Sequence, residues 1–192
     1  MVKILSIDVG ILNLGYVFCE IVNDNIIVID CDKIDITVMR HVIIPFCNCK
    51  LNHDNCAPDY LEHFFQEHHL IFNEAHIILV ERQPIIGITN IQDLILNKYR
   101  NKTLLISPNR VHKHFSMSKN YSFRKIQAEM IASPYLHDQI NYKNKLRKHD
   151  IADAMLLIIF YYSSFLKKKI VEKLCNIDHI EKFRFNVNNQ NT

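Results

Sequence analysis

Met1-Val2-Lys3-Ile4-Leu5-Ser6-Ile7-Asp8-Val9-Gly10-Ile11-Leu12-Asn13-Leu14-Gly15-Tyr16 is the stretch whose reading decides the fold. The run at 2–9, apolar apart from Lys3, Ser6 and Asp8, reads as a buried strand. Residues 16–22 and 26–30 are two further β-rich runs. Asn23-Asp24-Asn25 between them is a turn signal, so the chain opens with antiparallel strands joined by a hairpin. Asp8 closes the first strand. A carboxylate at the end of a buried strand is either solvated there or held for a purpose, and the glycine two residues on permits close backbone approach to a ligand.

Downstream, apolar residues at Leu61, Phe64, Phe65 and Ile71, with charged and His positions between, predict an amphipathic helix over 60–72. A fourth strand is expected at 75–81, a helix at 91–99 and a short strand at 103–107 stopped by Pro108. Two more helices follow, 123–132 ending near Pro134 and 150–168, the second apolar on nearly every side and therefore buried. Hairpin strands followed by alternating helices and strands describe an α/β protein with a mixed sheet, three antiparallel strands then parallel ones, and helices on both faces. No repeat or linker divides the sequence, so 1–185 is read as one domain with a Cys/His-containing insert at about 33–58. The polar residues 186–192 form an expected disordered tail.

Composition excludes several classes. With 192 residues, 48% hydrophobic and 22% charged, the chain has material for one core and is not generally disordered. A net charge of +3 does not by itself assign a nucleic-acid partner, so the distribution of charge matters more. The first apolar run has no signal-peptide pattern, and the most membrane-like stretch, 154–166, is read as too short to span. The expected setting is intracellular, with no membrane partner. Six cysteines there argue for small buried hydrophobes or metal ligands rather than a disulfide scaffold.

Two more acidic contexts match that of Asp8. Glu81 emerges from Ile77-Ile78-Leu79-Val80, and a charge on such a rigid apolar run is paired or ligating. Neighbouring Arg82 is a poor partner, because successive strand residues point to opposite faces. Asp150 and Asp153 open the last helix. They suit a helix start, with Asp150 as N-cap and Asp153 favoured by the macrodipole, and equally share one face for joint metal binding. If the three segments converge, they build a carboxylate cage for divalent cations of the kind that cuts phosphodiesters. The basic run Lys143, Lys145, Arg147 and Lys148 leads into the last helix and would attract a phosphate backbone, although such a run is commonly a solvated face.

The segments Ser6-Ile7-Asp8-Val9-Gly10-Ile11-Leu12-Asn13-Leu14-Gly15, Val80-Glu81-Arg82-Gln83-Pro84 and Arg147-Lys148-His149-Asp150-Ile151-Ala152-Asp153-Ala154 together resemble those of the poxvirus-type Holliday junction resolvases. That family is a RuvC-like branch of the RNase H-like fold, and the likeness runs from residue 2 to about 166. It implies a homodimeric, Mg²⁺-dependent endonuclease, with Mn²⁺ as a substitute, that resolves four-way DNA junctions by paired symmetrical nicks in DNA recombination and repair. By position it implies Asp8, Glu81, Asp150 and Asp153 as metal-binding catalytic carboxylates and Lys125 as a lysine reaching the active site. Lys119 is the weaker candidate for that lysine. Lys119, Arg124, Lys143, Lys145, Arg147 and Lys148 become the expected DNA contacts, and the setting becomes a viral protein in host cytoplasm.

The insert departs from the family. Cys47, Cys49, His53 and Cys56 offer four zinc ligands, but paired Cys-x-x-Cys is missing and the reading favours loop cysteines. His63, His68 and His69 are assigned to the wet face of their helix. Three rival functions stand beside the resolvase. A strand-ending Asp-x-Gly also opens ATP-binding sugar kinases and actin-like proteins, which need a second duplicated domain that this length does not hold. A non-catalytic junction-binding protein would tolerate loss of an acid, and none is missing. Cleavage of RNA–DNA hybrids or flaps would use the same fold and metals.

Overall fold

β1 (Val2–Asp8), β2 (Leu14–Val22) and β3 (Asn25–Ile34) make an antiparallel half-sheet, and β4 (Ile77–Glu81) and β5 (Thr103–Ile106) extend it in parallel from β1. The strand order is β3-β2-β1-β4-β5. This is the mixed sheet expected from the sequence, seen in a computed structural model that describes residues 1–38 and 56–167. Of the insert's possible zinc ligands, Cys47, Cys49 and His53 lie outside the described residues, as does the tail at 186–192.

Asn23 and Asp24 both adopt left-handed backbone, with φ of 48° and 62°, which makes the hairpin turn a two-residue one. Asn and Asp tolerate that conformation, and its twist matches the strands it joins. β3 runs four residues past its expected end at Asp30, because pairing with Leu14 to Tyr16 outweighs the poor strand propensity of Asp30 and Asp32. It is also an edge strand. Its Val28, Cys31 and Lys33 carbonyls accept hydrogen bonds from Gln139 (3.2 Å), Asn141 (3.1 Å) and Lys145 (3.2 Å), so side chains blunt an edge that would otherwise invite strand addition.

The two faces of the sheet carry different loads. Leu5 and Ile7 belong to the core under α1 (Ala57–Glu67), α2 (His69–Glu74) and α3 (Thr89–Lys98), where Phe72 packs at 5.0 Å from Phe65 and stacks at 4.9 Å on Tyr99. The single helix expected over 60–72 is two, broken at His68, whose ring packs 5.2 Å from Tyr16 and 4.9 Å from Phe64. His63 is buried, at 5% exposure, and His68 is half-buried against those rings, so of the three histidines only His69 is fully on the wet face.

Pro108 stops β5 and starts α4 (Pro108–His114), a helix the sequence reading lacks; its fixed φ and missing N–H suit a first helical position. α5 (Tyr121–Leu136) begins at an Asn120 cap on the Phe123 amide and runs through Pro134, which the last turn accommodates. α6 (Ile140–Asn144) is also additional to the sequence reading.

α7 (Lys148–Tyr161) covers the other face. Ile151, Ala152, Ala154, Met155 and Ile158 are fully buried, as its all-round apolarity requires. With the turn that follows, the helical run Lys148–Leu166 is long and apolar enough, by length and composition alone, to cross a membrane, a test that buried core helices also meet; 154–166, read as too short to span, is its later part. Ser6, on the sheet face opposite Leu5 and Ile7, donates to the Ala154 carbonyl at 2.6 Å, a buried link between β1 and α7. Ser6→Ala is expected to cost about 1 kcal/mol in denaturant unfolding, the net worth of one buried hydrogen bond.

The chain divides into two compact units, Met1–Ile158 and Ile159–Thr192. The second unit holds the end of α7 and a π-helical turn, Tyr162–Leu166, in which Phe165 stacks on Tyr161 at 5.4 Å and Ser163 donates to the Phe160 carbonyl at 3.1 Å.

Candidate active site

Parallel pairing of β1 and β4 aligns Ser6 with Leu79 and Ile7 with Val80; one step further it brings Asp8 and Glu81 to the carboxyl ends of adjacent strands on one face. That is the face under α7. In open α/β sheets this end is where ligands bind. The α7 helix delivers Asp153, and α5 delivers Lys125, whose ammonium donates to the Asp153 carboxylate. All four line one pocket of about 200 Å³, together with Tyr121, Arg124, His112, Val111, Pro108, Leu156 and Leu157.

The glycines work differently from the expectation of close approach to a ligand. A Cβ on Gly15 would stand 2.1 Å from the Asp150 carbonyl oxygen, and one on Gly10 would stand 2.3 Å from that of Asn13. The space beside each is filled by the protein's own backbone. At Gly15 this lets the first turn of α7 settle directly on β2, the strand paired with Asp8.

Electrostatics mark the same cluster. Burial raises the Asp8 carboxyl well above the usual range; the Glu81 charge, a hydrogen bond shared with Glu81 and the Asp153 charge push it further, and Lys125 only partly offsets them. Asp153 is raised by burial and Glu81, against the opposing pull of Lys125. Lys125 is driven down by burial, yet Asp153 and Asp8 outweigh this and hold its pKa above the ordinary value. Three carboxylates thus face one ammonium in a partly buried cleft.

Glu81 takes a hydrogen bond from the Gln83 side chain at 3.0 Å, and Gln83 is fixed in turn by its backbone amide donating to Gln92 at 2.8 Å. Arg82 is exposed and contributes no pairing to Glu81. Gln83 was within the quoted motif without a role; its spacing of two from Glu81 is the signal that puts both on one side of an extended chain. His112 and Tyr121 were missed altogether, and nothing in their sequence surroundings marks them.

Asp150 is the acid not brought to the pocket. It is buried at 5% exposure in the first turn of α7, not at the N-cap, and Arg147 Nε donates to it at 3.1 Å. Among the expected DNA contacts, Arg124 lines the pocket and Lys119 is exposed beside the start of α5. Lys148 lies 5.5 Å over the Tyr142 ring, and exposed Lys143 reaches Asp138 at 4.0 Å. Lys145 is instead paired with Asp32 at 2.7 Å, and Arg147 with Asp150. Cys56 is exposed, with its Sγ 3.5 Å from Asp59. Cys19 and Cys31 are buried small hydrophobes whose thiols burial pushes up to about 12.

Oxygen donors from Asp8, Glu81 and Asp153 suit a hard divalent cation. Among the described residues no group of three or more His, Cys, Asp or Glu side chains is already arranged to hold a metal ion. Lys125 supplies the cationic partner of Asp153.

No family model matches the chain, and no curated protein matches it in sequence. Solved structures do. The fowlpox virus resolvase in complex with substrate Holliday junction DNA superposes with a TM-score of 0.61 at 20% identity, over 85% of this chain and 99% of that one. A further structure of the fowlpox virus Holliday junction resolvase gives 0.59 at 18%, over 85% and 99%. Thermus thermophilus RuvC gives 0.53 at 12% identity, over 84% and 95%. What is shared at these identities is the fold, the RNase H-like sheet and helices of poxvirus-type and RuvC-type resolvases.

Proposed function

We propose that this chain is a Holliday junction resolvase, a homodimeric, Mg²⁺-dependent endodeoxyribonuclease that cuts four-way DNA junctions by paired symmetrical nicks, with Mn²⁺ able to substitute. One observation carries the reading: Asp8 and Glu81 from adjacent parallel strands and Asp153 from α7 gather with Lys125 on one pocket, in a fold shared with a resolvase solved on junction DNA. A nuclease of this kind works where recombining DNA is, inside a cell, and for a poxvirus-like protein in host cytoplasm.

Asp8, Glu81 and Asp153 would hold the cation, and Asp150 would join them once Arg147 exchanges it for a DNA phosphate. Lewis acidity towards the scissile phosphate and its attacking water is the chemistry that a bound divalent cation supplies. The protein's own share is positional. Gln83 orients the Glu81 carboxylate, and the strand ends keep Asp8 and Glu81 from swinging apart. Lys125, tethered to Asp153, holds a positive charge where the phosphate gains negative charge during attack. Lys119, Arg124, Lys143 and Lys148 hold flanking backbone, whereas Lys145 and Arg147 must first leave Asp32 and Asp150.

Symmetrical cutting tests the reading. Two sites on two-fold related subunits should nick opposite strands of a junction at symmetry-related positions, and sedimentation should report a dimer. Junction binding should fall steeply with salt while its preference over duplex, which arises from shape, persists. End-labelled four-way junctions beside hybrid, flap and duplex substrates decide it. A monomer that degrades RNA–DNA hybrids or flaps and ignores junctions would leave the fold and remove the resolvase, and junction binding without any cutting would leave a binding protein.

A further inference from the structure

His112 lies on α4 and borders the same pocket, yet none of the roles above uses it. Around it stand Arg124, Lys125 and Tyr121 of α5, Glu81 of β4, Asp8 of β1 and Asp153 of α7. Its ring is partly buried and makes no hydrogen bond to the described residues. In the free protein its ring nitrogens are thus left to solvent, open to an acceptor that enters the pocket. Arg124 is already oriented by its Nη1 contact with the Lys119 carbonyl at 3.4 Å, which leaves the rest of its fork to other acceptors. The pocket therefore sets donors beside its carboxylates: the guanidinium of Arg124, the ammonium of Lys125 that is bound to Asp153, and an imidazole.

We infer that His112, Arg124 and Lys125 form a phosphate-binding subsite that receives one phosphodiester of the DNA strand. The inference rests on the nuclease reading and names a residue that touches the strand. Protonation supports the geometry. Burial lowers the His112 pKa below the ordinary histidine range; Arg124 and Lys125 act in the same direction, and Glu81 opposes them. The free ring is thus neutral at pH 7. A phosphate between it and the two cations reverses that balance, so binding takes up a proton and tightens as pH falls.

The test is fluorescence anisotropy of a labelled four-way junction in chelator, at about pH 5.5 and about pH 8, with wild type, His112→Gln and His112→Lys. Wild type should bind on the order of fivefold more tightly at the lower pH relative to His112→Gln, with a log–log salt slope steeper by about 0.9, the effect of one added cation on the backbone. His112→Lys should bind tightly at both. A His112→Gln protein with the affinity and pH slope of wild type would overturn the subsite. Failure of wild type to bind any junction would sink the nuclease reading instead. The subsite then stands or falls on a ring-proton titration: a His112 pKa that climbs on adding inorganic phosphate sustains it, and an unmoved one removes it.

Discussion

Asp8→Asn and Asp153→Asn are each expected to slow cleavage of a four-way junction by about 10³-fold, while affinity for the same junction in chelator stays within about threefold. The split follows from where the charges are. The carboxylates line the pocket and repel phosphate, so they contribute nothing favourable to binding, whereas Arg124 and the outlying lysines do. Stability should move the opposite way from activity. Burial, Glu81 and Asp153 raise the Asp8 carboxyl above its unfolded value, so its ionisation is easier in the unfolded chain. The stability this group allows is fully present below the usual carboxylate range and is lost as pH climbs through the raised folded value. At about pH 7.5 in chelator, Asp8→Asn should therefore melt above wild type, and Mg²⁺ should raise the melting temperature of wild type more than that of the variant. Thermal melts with and without Mg²⁺ check the second half. An Asp8→Asn enzyme with full cleavage would take Asp8 out of the chemistry, and one that melts below wild type would mean that its carboxylate is not under strain.

How far such a site can be read from sequence depends on what fixes each residue. Asp8 and Glu81 were legible because the strands that carry them are: each ends a run of apolar residues, and pairing of those runs forces the two ends together. Asp153 was legible as half of a pair. The spacing of three in Asp150-Ile151-Ala152-Asp153 puts both acids on one helical face, but Asp150 is held by Arg147, three residues before it, while Asp153 meets Lys125 at the pocket. Lys125 came through the family resemblance, since a lysine in a polar helix start has no periodicity of its own to declare it. The basic run was legible as charge and not as partnership: Lys145 closes on Asp32 because α6 crosses the edge strand β3, a long-range contact that no local pattern carries. His112 sits in Pro108-Asn109-Arg110-Val111-His112-Lys113-His114, a seven-residue helix with a single buried apolar position, too short and too polar to announce itself. The helix break at His68 has the same origin, because it answers to packing against Tyr16 and not to a breaker residue.

Gly15→Ala is the substitution through which the fold and the site should fail together. Its added Cβ would stand 2.1 Å from the Asp150 carbonyl oxygen and 2.5 Å from its carbon, and both belong to backbone, so no side-chain rotation relieves the overlap. Either β2 or the first turn of α7 must retreat. β2 is held by pairing on both sides, Gly15 to Asp8 and to Lys33, whereas the first turn of α7 is the end of a helix. The helix start should therefore move, and Asp153 lies within one turn of the contact. We expect a loss of about 3 kcal/mol in denaturant unfolding, at the upper end of what overpacking costs. The surviving folded protein should cleave junctions about 10²-fold more slowly, since displacement of a catalytic carboxylate by about 1 Å is enough for that. Gly10→Ala separates the two effects. Its Cβ meets the Asn13 carbonyl at 2.3 Å, within the same loop and away from α7, so a comparable steric fault should lower stability with a smaller fall in rate. If both variants lose activity only in proportion to the unfolded fraction, the close approach at Gly15 supports the core alone. A rate loss in folded Gly15→Ala that Gly10→Ala does not share places the glycine in the machinery that sets Asp153 beside Asp8 and Glu81.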